Sequence, residues 1–264
     1  VVRALMLNRA SKPFVKLVEK YLPDPYIFVL LLTLITLVFA VVIQDQSPLT
    51  TVQQWGDGFW GLLTFSMQML LVLVTGFMLA CTPLVKTLLE NLARLAKSPG
   101  SAIVLVTLVS LTASWINWGF GLVVGALFAK ALARKVSVDY RLLVASAYSG
   151  FIVWHGGLAG SVPLTIATPG HFSEAQIGVI GTSETIFSGF NLLLLAIMFV
   201  VIPLVNRLML PPKSESVIVD SAKLQDDALP SATNERPADR LENSKALGLL
   251  VGFAGLAYLT NYFI

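Results

Sequence analysis

The chain is poor in charge and in the side chains that build disulfides and metal sites. Only 12% of its 264 residues are charged and 56% are hydrophobic, whereas soluble domains average about 25% charged and about 45–50% apolar residues. A single cysteine excludes an intrachain disulfide, and the two histidines do not have the spacing of zinc ligands. The composition therefore excludes an ordinary soluble domain and indicates an integral membrane protein, with no metal site predicted.

Acidic residues are absent from every long apolar stretch of the sequence. Carriers of cations or protons usually place a carboxylate inside the membrane, so this absence favours an anionic cargo that is bound by helix dipoles and amide groups. An Na⁺ site made of neutral oxygens stays open as an alternative. It would use backbone carbonyls together with Ser114, Asn117 or Thr168.

Two apolar stretches are interrupted in their middle by polar, glycine-rich motifs, SWINWGFG at 114–121 and WHGGLAGS at 154–161. A broken helix at membrane depth is tolerated only where it is buried in protein or lines a cavity. In secondary transporters such breaks hold the cargo near the middle of the membrane. Glycines can serve helix packing alone, but two motifs that each include a polar side chain favour a substrate site.

The apolar runs and the basic residues predict an all-α, polytopic membrane protein. Residues 1–25 form a basic, amphipathic N-terminus, which the positive-inside rule places in the cytoplasm. An external loop is predicted at 44–58, and the leucine-rich segment after residue 80 follows the cytoplasmic interface or forms a solvated connecting helix. The transmembrane domain, 26–210, comprises helices at 26–43 and 59–80, a hairpin at 101–133, a broken helix at 142–168 and a helix at 186–210.

The stretch 101–133 is predicted to be a re-entrant hairpin, because basic residues flank both of its ends. Arg94 and Lys97 precede it, and Arg134 and Lys135 follow it, so both ends are placed in the cytoplasm. Each arm of about 15 residues reaches about 22 Å, less than a hydrocarbon core of about 30 Å. A single kinked helix that crosses the membrane is the alternative interpretation.

After residue 210 the chain becomes polar and charged, which predicts a cytoplasmic linker at 211–245. A last apolar segment follows at 246–264. We expect it to be the start of a further transmembrane helix that is truncated at Ile264.

The predicted substrate site combines helix ends with the polar groups of both interruptions. A helix that ends inside the membrane presents unpaired N–H groups and a positive dipole end, which together attract an anion. Asn117 supplies an amide, and Ser161 is predicted to cap the second half of the broken helix. No catalytic or metal-binding residue is predicted. The candidate substrate-binding residues are Ser114, Asn117, Trp118, Gly119, Gly121, His155, Gly156, Gly157, Ser161 and Thr168.

Several of these residues also have a purely structural interpretation. His155 is the one titratable side chain predicted near the membrane centre, so it binds the anion or takes part in proton coupling; alternatively it is neutral and hydrogen-bonded to a neighbouring helix. Trp115, Trp118 and Trp154 either form a wall against a short acyl chain or only pack. Asn191 is predicted to make a hydrogen bond between helices.

The sequence resembles the bacterial short-chain fatty acid transporter family through the strings YLPDPYIF, WGDGFWGLLTFSMQM, INWGFGLVVGALFAKALAR, SVPLTIATPG and ETIFSGFN, taken in this order. The resemblance implies import of acetoacetate, butyrate and similar monocarboxylates across the inner membrane. It also implies a fold of two inverted repeats, of which this chain holds the first. The family is expected to have glycine where this chain has His155.

Coupling of transport to H⁺ or Na⁺ is implied by analogy alone, and no other cofactor is expected. The predicted partners are a short-chain carboxylate and the lipid bilayer, with no nucleic acid; homo-oligomerisation is left open. Two alternatives are a Na⁺/H⁺-type exchanger and a non-transporting membrane fragment or subunit. A membrane-embedded enzyme is disfavoured because the apolar regions offer no nucleophile with an acid–base partner, so we predict that the protein is not an enzyme.

Overall fold

A computed structural model describes residues 13–15, 17–18, 20, 24–59, 63–220, 224 and 244–263. This part of the chain is helical and contains no strand, which confirms the all-α prediction. Most of the predicted N-terminus and linker lies outside the described residues. The α-helices are α1 Pro25–Val42, α2 Pro48–Phe59, α3 Leu63–Ala80, α4 Pro83–Ala93, α5 Pro99–Ile116, α6 Trp118–Ala133, α7 Tyr140–Ser149, α8 Ser161–Ile166, α9 Glu174–Ile177, α10 Gly189–Leu208 and α11 Lys245–Phe263.

Capping residues set where several of these helices begin. Asp24, Thr82, Ser98, Asp139 and Ser188 each accept a hydrogen bond from a backbone N–H in the first turn of the helix that follows. Proline stands next to three of these caps, at the start of α1, α4 and α5. Proline suits this position because its missing N–H would be unpaired there and its fixed φ is already helical.

The prediction that 44–58 is a loop is wrong in most of its length, because this segment contains α2. Its external placement stays a prediction. Ser47 starts this helix: its carbonyl accepts a bond from the Thr51 N–H at 2.9 Å, and its hydroxyl accepts one from the Thr50 N–H at 3.1 Å. Apolar residues of α2 face α1 across a small cavity lined by Val38, Val42 and Val52 among others.

A bend of 64° separates the apolar helix α3 from the amphipathic helix α4. Thr82 caps α4 at the bend. Val85 and Leu89 of α4 are buried, whereas Leu84 and Leu88 on its other side are exposed. The leucine-rich segment after residue 80 therefore forms a separate helix, as predicted.

α5 and α6 form an antiparallel hairpin, since close approaches pair Gly121 with Ser114 and Gly125 with Ser110. This contradicts the single kinked helix. The arms have 18 and 16 residues, so both exceed the predicted length, and α5 is long enough to cross a membrane. Re-entry of the hairpin stays a prediction.

The predicted broken helix is α7, a 3₁₀ helix at Gly150–Gly156 and α8. Its α-helical first half ends at Ser149, earlier than Trp154, so the interruption spans 150–160. α10 then packs against α5, and a buried amide links them: Asn206 Nδ2 donates to Thr107 Oγ1 at 3.1 Å and to Ser149 Oγ at 2.8 Å. These bonds join α10 to α5 and to the end of α7.

The residues after α10 are fixed to the start of α7. Asp139 accepts hydrogen bonds from the N–H groups of Leu142 at 2.9 Å and Val217 at 2.8 Å, and it pairs with Arg141 at 3.0 Å. Burial raises the pKa of the Asp139 carboxyl, but these hydrogen bonds and the Arg141 charge outweigh that effect and hold its pKa below the ordinary value.

Three spans in the described part of the chain are long and apolar enough to cross a membrane: Pro99–Ile116, Tyr140–Ile166 and Gly189–Leu208. Residues 1–224 form one compact unit and residues 225–264, which contain α11, form another. The first unit exposes many large apolar side chains, including Leu193 and Val200 of α10. These features are those of a multi-pass membrane protein.

Candidate functional site

The first interruption is a hairpin tip built by one residue. Asn117 has an extended backbone with φ −154° and ψ 123°, and its N–H donates to the carbonyl of Ala113 at 2.9 Å. Its side-chain oxygen accepts the N–H of Phe120 at 3.0 Å and so caps α6. The N–H groups of Trp118 and Gly119 have no hydrogen-bond partner among the described residues. The tip thus holds two backbone donors without a hydrogen-bond partner among the described residues at the positive end of α6, and Gly119 is buried against α3.

Glycines let other backbone segments approach this tip closely. A Cβ on Gly121 would lie 2.5 Å from the backbone N and Cα of Ser114, and one on Gly119 would lie 3.0 Å from the carbonyl oxygen of Val72. The N–H of Gly121 is already paired with the carbonyl of Asn117 at 2.9 Å. The Gly121 N–H is therefore not a free donor at the tip. Gly121 and Gly125 instead allow α6 to pack closely against Ser114 and Ser110 of α5.

The second interruption is tightly wound and rests on α5. A Cβ on Gly150 would lie 2.5 Å from Ser110 Cβ and 2.6 Å from the Leu111 nitrogen, and one on Gly157 would lie 2.5 Å from the carbonyl oxygen of Trp115. That same carbonyl accepts the N–H of Leu158 at 2.7 Å. The structure therefore brings the second interruption into contact with the last turn of α5, directly beside the tip.

Asn191 of α10 holds the second interruption from the other side. Its Nδ2 donates to the carbonyl of Gly156 at 3.0 Å and to that of Ile186 at 2.7 Å. A Cβ on Gly156 would lie 2.6 Å from Asn191 Oδ1. The predicted hydrogen bond between helices is confirmed for Asn191, and Gly156 is required for this approach.

The aromatic side chains of the two interruptions also meet. The ring centroids of Trp118 and Trp154 are 5.4 Å apart, and the His155 ring stacks on that of Trp154 at 4.2 Å. His155 is exposed, and its ring has no hydrogen-bond partner among the described residues. The alternative that His155 is hydrogen-bonded to a neighbouring helix is therefore not met within the part of the chain that the structure describes.

The structure places the predicted site residues Ser114, Ser161 and Thr168 in three different environments. Ser114 is buried, and its hydroxyl has no partner among the described residues. Ser161 is also buried, but Gly160 occupies the cap position of α8 without a side-chain hydrogen bond, and the Ser161 hydroxyl donates to Met69 Sδ at 3.3 Å. Its predicted capping role is wrong. Thr168 lies past the end of α8, exposed, with its hydroxyl bonded to the Leu164 carbonyl at 2.8 Å, so the structure does not bring it to the interruptions.

Sequence reasoning missed Gly76 and Gly150. A Cβ on Gly76 would lie 2.5 Å from the Phe120 nitrogen, so α3 crosses the tip at this residue. Gly76 is one glycine in an apolar helix, and Gly150 precedes its motif by several residues. Neither glycine is marked by a local sequence motif. At each position a helix that is distant in sequence comes close and requires glycine.

Comparison with known proteins identifies a family by sequence. Residues 6–264 match the family described as short chain fatty acid transporter. The chain is 46% identical over 264 residues to a protein of Escherichia coli (strain K12) and 40% identical over 269 residues to one of Haemophilus influenzae. Both relatives bear the name "Putative short-chain fatty acid transporter".

The matches cover 98% of this chain and 60% of each relative, so the chain spans less than two thirds of their length. No solved structure gives a significant match. The family match covers nearly the whole sequence, and both relatives are named as transporters. The chain belongs to the short-chain fatty acid transporter family.

Proposed function

We propose that the protein transports short-chain fatty acids, such as acetoacetate and butyrate, across the bacterial inner membrane. In this proposal the cargo carboxylate binds where the hairpin tip meets the second interruption. The observation that carries the proposal is the contact of the two interruptions through the Trp115 carbonyl and the Leu158 N–H at 2.7 Å. Relatives named for this cargo support its identity.

The charge of the site suits an anion. The apolar helices contain no Asp or Glu, so no fixed negative charge repels a carboxylate. The free N–H groups of Trp118 and Gly119 lie at the start of α6, where the helix dipole is positive. A cation exchanger would need negative charge or a ring of oxygens at this place, and the tip offers donors instead.

The orientation follows from the basic residues. Lys97 precedes α5, and Arg134 and Lys135 follow α6, so both open ends of the hairpin lie in the cytoplasm by the positive-inside rule. The hairpin then enters and leaves on the cytoplasmic side, and the N-terminus is cytoplasmic as well. Labelling cysteines placed at Lys97 and Lys135 with an impermeant reagent tests this, and both should react only from the inside.

Transport is driven by cotransport of H⁺ or Na⁺ in this proposal. His155 is the histidine of the two interruptions and is exposed, so it is the proposed coupling residue for H⁺; Na⁺ is the alternative if neutral oxygens bind it. An uptake pH profile of His155→Gln that matches the parent removes His155 from the coupling step. A requirement for external Na⁺ then identifies the ion.

The decisive experiment is uptake of radiolabelled butyrate by the full-length protein in proteoliposomes. We expect saturable uptake, competition by acetoacetate and stimulation by an imposed H⁺ or Na⁺ gradient. Sodium flux without butyrate uptake would instead show an ion exchanger. Absence of both fluxes from correctly folded protein would support a non-transporting subunit.

A further inference from the structure

The two interruptions share an aromatic cluster, which we define as Trp118, Phe151 and Trp154. Phe151 lies 4.9 Å from Trp154 and 6.3 Å from Trp118, and the two indoles are 5.4 Å apart, measured between ring centroids. The Trp118–Trp154 planes are tilted by 40° and not stacked in parallel. The cluster joins the first residue of α6 to the 3₁₀ helix of the second interruption.

Both indole nitrogens of this cluster are buried and have no hydrogen-bond partner among the described residues. An indole nitrogen is a donor only. A donor that is removed from water without gaining an acceptor destabilises the fold, so native structures rarely leave one unpaired without a functional reason. Two such donors on rings in contact indicate that an acceptor binds here.

We propose that the indole N–H groups of Trp118 and Trp154 bind the carboxylate of the cargo, while the ring of Phe151 contacts its short aliphatic chain. This proposal rests on the proposed function and adds the residues that recognise the ligand. Hydrogen bonds to an ionised acceptor are stronger than those between neutral groups. Neutral donors therefore select a carboxylate without placing a fixed positive charge in the membrane.

The nitrogens are covered in this structure, so the carboxylate reaches them when an indole turns about its side-chain torsions. Both tryptophans are only half-buried as whole residues, which leaves part of each ring free of protein contacts. In this proposal the site discriminates by charge, because a carboxylate offers acceptors to the two indole N–H groups whereas an alkylammonium ion of the same length has none.

The test is a titration of the full-length protein, labelled with ¹⁵N in its indoles, with butyrate and, as a control, with butylammonium. We expect the Trp118 and Trp154 N–H signals, assigned from Trp→Phe variants, to shift downfield saturably with butyrate only. The signal of Trp55, which lies on α2 and half exposed, should not move. If no indole signal responds to butyrate, the proposal is overturned, and this result does not depend on any variant folding.

Uptake by the variants gives the second readout. Trp118→Phe and Trp154→Phe keep the aromatic ring and lose the donor, so each should raise the KM for butyrate by about tenfold or more. Trp55→Phe should leave KM unchanged. Folded variants with the KM of the parent would overturn the assignment of the indole donors. Butyrate uptake by the parent would still support the proposed function in that case. Shifted indole signals without uptake would contradict transport and leave the binding site standing.

Discussion

The hairpin tip and the second interruption break their helices in different ways. At the tip a single residue, Asn117, ends α5 and caps α6 through hydrogen bonds to residues that are close in sequence. The second interruption spans 150–160, and the cap of α8 has no side-chain bond. Besides local turn bonds such as that from the Gly160 N–H to the Gly157 carbonyl, this interruption is bonded to Trp115 and Asn191 on two other helices. The tip is therefore determined locally, whereas the second interruption depends on tertiary contacts.

The largest effect is expected where the second interruption touches the backbone of α5. Gly150→Ala and Gly157→Ala each place a Cβ about 2.5 Å from atoms of α5 and should each cost about 3 kcal/mol of stability by overpacking. Thermal unfolding of the full-length protein in detergent measures this. Gly252→Ala is the matched control, because a Cβ there meets nothing within 4 Å. Equal melting temperatures for all three variants would contradict the packing described.

A smaller effect, with a defined pH dependence, is expected at the start of α7. Asp139→Asn should lower the stability at pH 7 by about 2 kcal/mol, because hydrogen bonds to a charged group are lost. The folded pKa is lowered, so the carboxylate stabilises the fold above its unfolded pKa of about 3.9, and this stabilisation is lost as the pH falls through the folded value.

The difference in stability between the parent and Asp139→Asn should therefore be constant from about pH 5 to about pH 8 and should shrink at lower pH. Melting curves across this range measure it. A difference that grows as the pH falls would contradict the contacts of Asp139 with Val217 and Leu142.

The contact of Asn191 with Gly156 is tested by a double-mutant cycle. Gly156→Ala should cost about 1–2 kcal/mol because its Cβ displaces the Asn191 side chain. In an Asn191→Ala background the same change should cost clearly less, since the displaced atoms are gone. Gly157→Ala serves as the control, because it meets the Trp115 carbonyl and Asn191→Ala cannot relieve it. Additive costs at Gly156 would show that the two residues are not coupled.

The smallest stability effect is expected at the tip. Asn117→Ala removes the cap of α6 and should cost about 1 kcal/mol, whereas Asn117→Ser keeps a capping oxygen and should cost less. Because the cap is local, neither change should alter the protection of the second interruption in hydrogen exchange. Loss of protection at Leu158 in Asn117→Ala would show that the two interruptions are not independent.

The tip is determined by local contacts and the second interruption by tertiary contacts, and this difference also explains which features could be predicted from the sequence. The tip was placed correctly because Asn117 and its glycines interrupt an apolar run at one point, and the cap is encoded by Asn117 itself. The helix pattern likewise predicted the starts and ends of α1, α5 and α10 to within a few residues. These features depend on contacts close in sequence.

The end of α7 at Ser149 could not be predicted in this way. Nothing local stops the helix before Trp154; the change to a 3₁₀ helix occurs where Gly150 presses on Ser110 and Leu111 of α5. Ser161 was assigned a cap by its residue type, but its hydroxyl lies near Met69 of α3. Contacts between segments distant in sequence decided both cases.

The most direct measurement of the central claim is protection of both interruptions by the cargo. In a Cys81→Ser background, single cysteines replace Ile116 at the tip, which is 49% exposed, and Leu158 at the second interruption, which is 39% exposed. Phe172→Cys, at a position that is 85% exposed, is the control. We predict that butyrate slows thiol labelling at positions 116 and 158 with the same concentration dependence and leaves position 172 unchanged. Protection of only one interruption, or of neither, would contradict a shared site.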